Sequence, residues 1–348
     1  MCSIGSRTFS RLDAVAAASL RGEWPAIEDH VRLEVACASA ADDEDDAPEI
    51  DVSKLADAFR YARQLLTAEE TEAWLERSGL TLDSWSDQLE RTELSRVWKG
   101  RAADILGANT VSDDDLAEAL YPALVCSGAL ERFVWTLAER AAACADAGID
   151  LDADAAVPDA AVAAEASRAV RLVRGSDDDD DGEETTEFPE RCIADLQHIE
   201  RGFQRLVQAE RTPAALALRL DAHRMDWIRV AWRALAFATE AAAREAALRI
   251  RTDGESPAAV AADLAVTLHA QQSFLGDVDE WLRAALFSAR TGELAGPLTG
   301  ADQFHLILLD EKIPPALDDP DVRRRAEADV AQALLARGRK HIHWHERL

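Results

Sequence analysis

The stretch from Arg290 to Lys312, RTGELAGPLTGADQFHLILLDEK, decides how this chain is read. Gly292 and Glu293 make a turn, LAGPL a short strand, GADQ a polar loop and FHLILLDE a second strand. Glycine and proline punctuate the run where an extended segment must stop, and the second strand is long and aliphatic. His305 stands alone among those aliphatic side chains. It is either a half-buried sheet histidine satisfied by one hydrogen bond or part of a functional site.

Upstream, MDWIRVAWRALAF (Met225–Phe237) alternates and is rich in aromatic and β-branched residues, which predicts another strand. An alanine-rich helix follows, capped by Thr239 and stopped by Gly254. SPAAVAADLAVTLHA then reads as a second helix, with Ser256 as its cap and Pro257 in its first position. QSFLGDVDEWLRAALFSARTGE supplies a short strand-like piece, a helix and the turn already described. The order strand, helix, helix, short strand, helix, strand, strand predicts an α+β fold, an antiparallel sheet covered by helices.

The first half of the chain has helical periodicity instead. RLDAVAAASLRG and WPAIEDHVRLEVACA are two helices separated at Gly22 and Pro25. SKLADAFRYARQLL follows the acidic break ADDEDDAPE, with Ser53 as its expected N-cap. Thr67 and Glu70 form a T-x-x-E capping box, Gly79 a helix stop, and Ser112 a further cap. Leu65, Trp74, Leu75, Leu80, Leu82, Trp85, Leu89 and Leu94 are expected to share one core. From Ile149 to Glu187 the pattern weakens into acidic stretches, read as a solvated linker. The expected organisation is therefore a helical domain over 1–148, an acidic linker over 149–190 and a helical connection over 191–224. The sheet domain follows over 225–312. A C-terminal helix and strand, 313–348, is expected to return to the helical domain, with Val322, Ala326, Val330 and Leu334 as its apolar stripe.

A formal net charge of −28 excludes nucleic acid and anionic membrane as natural partners, because the average surface repels phosphate. Cys2, Cys37, Cys126, Cys144 and Cys192 are odd in number and widely spaced, with no C-x-x-C, so neither a disulfide framework nor a zinc ribbon is indicated. A reducing compartment fits that usage. The N-terminal apolar run carries Asp13 and ends at Arg21, too short and charged for a signal peptide, and no run approaches a membrane span. A soluble, cytoplasmic protein is expected.

No P-loop, G-x-G-x-x-G, G-x-S-x-G or H-E-x-x-H occurs, so no cofactor is expected. The aspartate run SDDDDDGEETTE lacks the spacing of a calcium loop. HIHWH puts His341, His343 and His345 on one side of a strand; with no fourth ligand in sequence it reads as a solvated strand end, and no metal is expected. Trp74, Trp85, Trp98 and Trp135 read as packing anchors.

With these residues in hand, Met225 to Lys312 resembles the parvulin-type peptidyl-prolyl isomerase domain. Phe287, Gly292, Glu293, Gly296, Pro297 and His305 fall in step with the family's closing pattern. FLG, Phe274 to Gly276, is similar to its Leu-Gly turn. FRYARQLLTAEETEAWLERSGLTLDSWSDQLERTEL resembles the helical domain of SurA-like foldases, in which such a module is carried by a chaperone domain.

The resemblance implies an apolar slot for a proline ring over a polar strand floor of two histidines and a Cys or Asp. X-Pro rotation otherwise faces a barrier of about 20 kcal/mol. His305 matches the last-strand histidine. The first-strand histidine position falls on Ala234, and the Cys/Asp position falls near Val266 or Thr267. Val278 and Leu282 align with the slot's apolar residues, and Phe287 joins them. The resemblance thus implies a degenerate, inactive isomerase module. His305 would be a remnant of the catalytic set, and Val278, Leu282, Phe287 and His305 a peptide-binding face. Three functions are compatible with this: a chaperone for unfolded or leader-like polypeptide segments, an active prolyl isomerase, or an adaptor dedicated to one partner in a peptide-export or peptide-modification system.

Overall fold

The computed structural model describes residues 1–43, 47–152, 158–174 and 188–345. Residues 44–46 of ADDEDDAPE and all of SDDDDDGEETTE lie outside the described residues, and Ala41 to Asp43 of the expected acidic break belong to a helix. In chain order the elements begin with β1 (Cys2–Ile4), β2 (Arg7–Phe9), α1 (Arg11–Leu20), α2 (Trp24–Asp43) and α3 (Val52–Ala62). Next come α4 (Ala68–Ser78), α5 (Leu82–Val97), α6 (Ala102–Ala108), α7 (Asp113–Cys126), α8 (Ala129–Asp146), α9 (Ala160–Arg174), α10 (Glu190–Glu210) and α11 (Pro213–Ala222). Then follow β3 (Arg229–Phe237), α12 (Glu240–Arg251), α13 (Pro257–Asp263), β4 (Leu268–Phe274) and α14 (Glu280–Ser288). The series closes with β5 (Leu294–Thr299), β6 (Phe304–Ile313), α15 (Pro320–Gly338) and β7 (His343–Trp344). The fold is α+β, mainly helical with two small antiparallel sheets. Two compact units result: Met1–Gln208 with Ala333–Leu348, and Ala209–Gln332.

In the first unit, α1 buries Ala14, Val15, Ala16, Ala17 and Ala18 against α8 and α9. α9 lies within the stretch read as linker. Its buried residues Ala163, Ala166, Ala169, Val170 and Val173 recur at helical spacing, but small side chains give a weak apolar signal. Glu200 of α10 is buried and ion-paired to Arg140 and to Arg21, the latter at 2.9 Å. Thr67 and Glu70 form the capping box, and Gly79 stops α4 in a left-handed conformation. Asp51, not Ser53, caps α3, its carboxylate accepting from the Lys54 amide at 3.1 Å. Leu65, Trp74, Leu75, Leu80 and Trp85 cluster with Leu89. Leu94 packs separately with Trp98, Ala36 and Cys37, and Leu82 is exposed as the first residue of α5. Trp135 is also exposed and meets the Trp344 ring at 4.4 Å, so it is no core anchor.

The sheet of this unit is ordered β2-β1-β7, with Cys2 paired to both Phe9 and Trp344. His341, His343 and His345 have separate surroundings. His341 meets Asp146 at 3.2 Å and His345 meets the Ser3 hydroxyl at 2.9 Å, while His343 pairs with Ser3 in the ladder. Among the described residues no group of three or more His, Cys, Asp or Glu could hold a metal. Lys340 and His341, with Arg337, hold the Asp146 carboxyl down to about 2.

In the second unit β3 is central to a sheet ordered β4-β3-β6-β5. Thr239 caps α12, and Ser256 caps α13 with Pro257 behind it. α13 ends at Asp263, however, and Leu268 to Ala270 is strand rather than the end of a helix, continuous with the strand-like piece expected at Gln272 to Phe274. Val322, Ala326 and Val330 of α15 pack on Leu216 and Trp227 within this unit, where the stripe was expected on the N-terminal domain. Leu216 supplies the apolar partner from α11, a helix of the connection. The end of α15 belongs to the first unit, where a Cβ on Gly338 would stand 2.5 Å from the Ala143 amide nitrogen. Among the described residues no helix is long and apolar enough to cross a membrane.

Candidate functional site

Burial along β3 changes sides. Val230 and Trp232 are buried on the sheet face covered by α14, whereas Leu235 and Phe237 are buried on the opposite face, under α12 and α13. Side chains alternate across a strand, so Ala234 and Ala236 share the face of Trp232. Both are only half-buried. The α14 face is therefore left open at its Ala234–Ala236 end.

Cross-strand pairing fixes what surrounds that opening. Ala236 pairs with His305 on β6, His305 with Leu298 on β5, and Ala234 with His269 on β4. Directly paired residues point to the same face. His269, Ala234, Ala236, His305 and Leu298 thus form one strip across the four strands. His269 is exposed. Its neighbour Leu268 belongs to the opposite core, in keeping with the alternation.

The His305 ring packs against Trp281 of α14, centroids 4.9 Å apart and planes tilted by 36°. Gly300 also adjoins the ring, where a Cβ would come within 2.8 Å of His305 Nε2. A second glycine is required at Gly296, with φ of +112° and a virtual Cβ 2.5 Å from the His305 carbonyl oxygen. Partial burial lowers the pKa of His305 and favours its neutral ring. Among the described residues no hydrogen bond reaches that ring, so the single bond expected of an ordinary sheet histidine is missing.

The other expected site residues are placed differently. Val278 and Leu282 are each 6% exposed, inside the core of Val230, Trp232, Leu286, Ile307 and Leu309. Trp281, Ala234 and Leu298 pack against that core as its partly buried border. Phe287 is 47% exposed near the end of α14, its ring 5.8 Å from Lys312 Nζ. That lysine also donates to the Phe287 and Ala289 carbonyls at 2.7 and 2.9 Å, tying α14 to β6. Trp281 and His269 are the residues that sequence reasoning missed. Trp281 follows Val278 by three positions and Leu282 precedes Leu286 by four, so the helical pattern was readable. His269 was hidden by the reading of its segment as helix.

Chemically, the strip offers an alanine floor with an indole on one side and two imidazoles two strands apart. The floor accepts an apolar side chain or ring, and each imidazole presents one donor and one acceptor when neutral.

No family model matches this chain, and no curated protein matches it. Among solved structures it is similar to PrsA from Bacillus subtilis, with 17% identity and a TM-score of 0.21 over 44% of this chain and 62% of that one. It is also similar to a peptidylprolyl isomerase, PrsA from Bacillus anthracis, with 14% identity and a TM-score of 0.24 over 44% of this chain and 75% of that one. The chain thus spans less than two thirds of the first of these.

Proposed function

We propose that this protein is a foldase-like, peptide-binding chaperone whose sheet unit is a degenerate parvulin-like module that holds extended polypeptide. The observation that carries this reading is the side-switch of burial along β3, which leaves Ala234 and Ala236 only half-buried on the face of His305 and Trp281. An apolar client residue set on the alanine floor would bury itself against the indole, contributing about 1.5–3 kcal/mol. Neutral His305 would exchange a hydrogen bond with the client backbone.

The second reading, an active prolyl isomerase, is favoured by one feature, the placement of His269 on the face of His305. Against it stand the methyl groups of Ala234 and Ala236, which put no polar group between the two imidazoles. In both readings the client is unfolded or leader-like polypeptide. Cys2, Cys37, Cys126, Cys144 and Cys192 are free thiols, which suits work in the cytoplasm.

The test is binding of a permanently unfolded, carboxymethylated protein to the full chain and to Ala236→Arg. The arginine covers the floor from a half-exposed position. Binding should weaken about tenfold or more, equivalent to about 1.4 kcal/mol, with an unchanged melting curve. Unchanged binding by the folded variant would remove the sheet face from consideration.

A further inference from the structure

The helical unit contains a cavity of about 400 Å³, separate from the sheet site. Its walls come from α2, α3, α5, α7 and α8 and include Ile27, Val31, Phe59, Leu89 and Leu124, with exposed Arg132 of α8 at the rim, its guanidinium donating to the Ser127 carbonyl at 3.3 Å and not to Glu34. That volume lies in the range of small-ligand sites, and such sites are apolar with a few placed polar groups. Here the placed group is a carboxylate. Glu34 lines the cavity although it is only 2% exposed.

Glu34 is held by Gln88 and His30. Gln88, equally buried, donates its amide to Glu34 Oε2 at 2.9 Å and to the Thr92 hydroxyl at 3.0 Å. Arg91 fixes that amide by donating to Gln88 Oε1 at 3.3 Å, so its charge is directed at the amide and not at Glu34. Glu34 Oε1 lies 3.4 Å from Nε2 of His30, an exposed side chain at the mouth. Among the described residues no lysine or arginine pairs with Glu34. A buried carboxylate without a permanent cation is costly, and a cationic ligand would relieve that cost.

From this arrangement we propose that the cavity binds a lysine side chain of a polypeptide, its ammonium on Glu34 and its methylene stem along the apolar walls. Both carboxylate oxygens already face a nitrogen, which leaves poor access for the flat two-pronged approach of a guanidinium. A compact ammonium with rotatable donors fits the remaining lone pairs. The mouth is edged by exposed Ala26, His30 and Thr92, which lets the rest of a chain pass outside. Cys126, in the wall, has its thiol pushed up to about 12 by burial, so it acts as an apolar surface and not as a nucleophile.

This site does not depend on the sheet reading, and its test keeps the two apart. The probe is a short acetylated and amidated peptide with one central lysine between leucines, titrated calorimetrically into the full chain. Replacing the lysine by norleucine should weaken binding about tenfold, as loss of one charge-assisted hydrogen bond does. Glu34→Gln should weaken the lysine peptide by a similar factor and leave the norleucine peptide unaffected. Ala26→Trp, at an exposed position in the mouth, should abolish binding without repacking the interior, and it decides the matter if Glu34→Gln does not fold. Ala236→Arg should have no effect. Equal affinity of the two peptides, a loss caused by Ala236→Arg, or no binding at millimolar peptide would each overturn the proposal. Butylamine binding as tightly as the peptide would overturn the assignment to a polypeptide.

Discussion

His269 and His305 stand on the same face of the sheet, two strands apart, each paired in register with an alanine of β3. The alanines are the decisive part of that relationship. A twisted amide laid over Ala234 and Ala236 would find methyl groups beneath it where stabilising polar groups are needed. The wild-type chain should therefore accelerate isomerisation of a short proline peptide less than about tenfold, which is about 1.4 kcal/mol of barrier. Acceleration by several orders of magnitude, lost in both His269→Ala and His305→Ala, would establish the isomerase instead.

Leu282 and Phe287 should respond in opposite ways to the same charge. Leu282→Asp buries a carboxylate in the core beneath the site and should abolish cooperative melting of the sheet unit. Leu282→Ala, which leaves only a cavity, should cost about 2–5 kcal/mol. Phe287→Asp, on an exposed side chain, should melt close to the parent. Chemical denaturation of the three variants checks this, and a folded Leu282→Asp would mean the position is not core.

Gly338→Ala tests the C-terminal segment. The added methyl would collide with the backbone of α8 at Ala143, where no side-chain rotation can make room. A loss of about 1–3 kcal/mol is expected, the usual range for overpacking. Ala326→Leu should instead weaken the packing on Leu216 and Trp227. Urea melts followed by limited proteolysis would assign each loss to its unit, and a neutral Gly338→Ala would contradict the placement.

The pH dependence of the sheet unit carries a signature of His305. Its pKa is lowered in the folded chain by burial, so the unfolded chain takes up the proton first as pH falls. The contribution to stability is complete above the ordinary value of 6.5 and is lost as pH drops below it toward the lower folded value. His305→Gln should flatten this part of the profile. Melting temperatures of parent and variant at about pH 7.5 and 5 measure the difference, and parallel profiles would show that the ring is not shielded.

Much of the sheet unit was legible because its punctuation is explicit. Thr239, Ser256 with Pro257, and Gly292 mark their elements as capping and turn chemistry require. The first half of the strand carrying His269 was not legible, for a local reason. The chain leaves α13 through Ala265 at φ of +53°, a conformation that an alanine does not advertise. Val260, Leu264 and Leu268 meanwhile continue a helical spacing across the break. β1 and β2 were missed because three-residue strands hardly establish a period, although Gly5 at their turn is a signal in retrospect. Tertiary partners were harder still. Nothing in Val322, Ala326 and Val330 says which apolar surface they will meet, and Leu216 with Trp227 lay close by in the fold.

The second unit, finally, is an insertion within the first. Residues Ala209–Gln332 are made between two parts of one folding unit, and β7 supplies the edge partner of β1. During synthesis the sheet unit can complete itself while β1 still lacks that partner, since domains tend to fold as they emerge. The order of assembly is thereby set by chain connectivity. The helical unit with its buried Glu34 should be the last part of the molecule to mature, and a nascent chain stalled before His343 would carry a finished sheet unit beside an unclosed helical one.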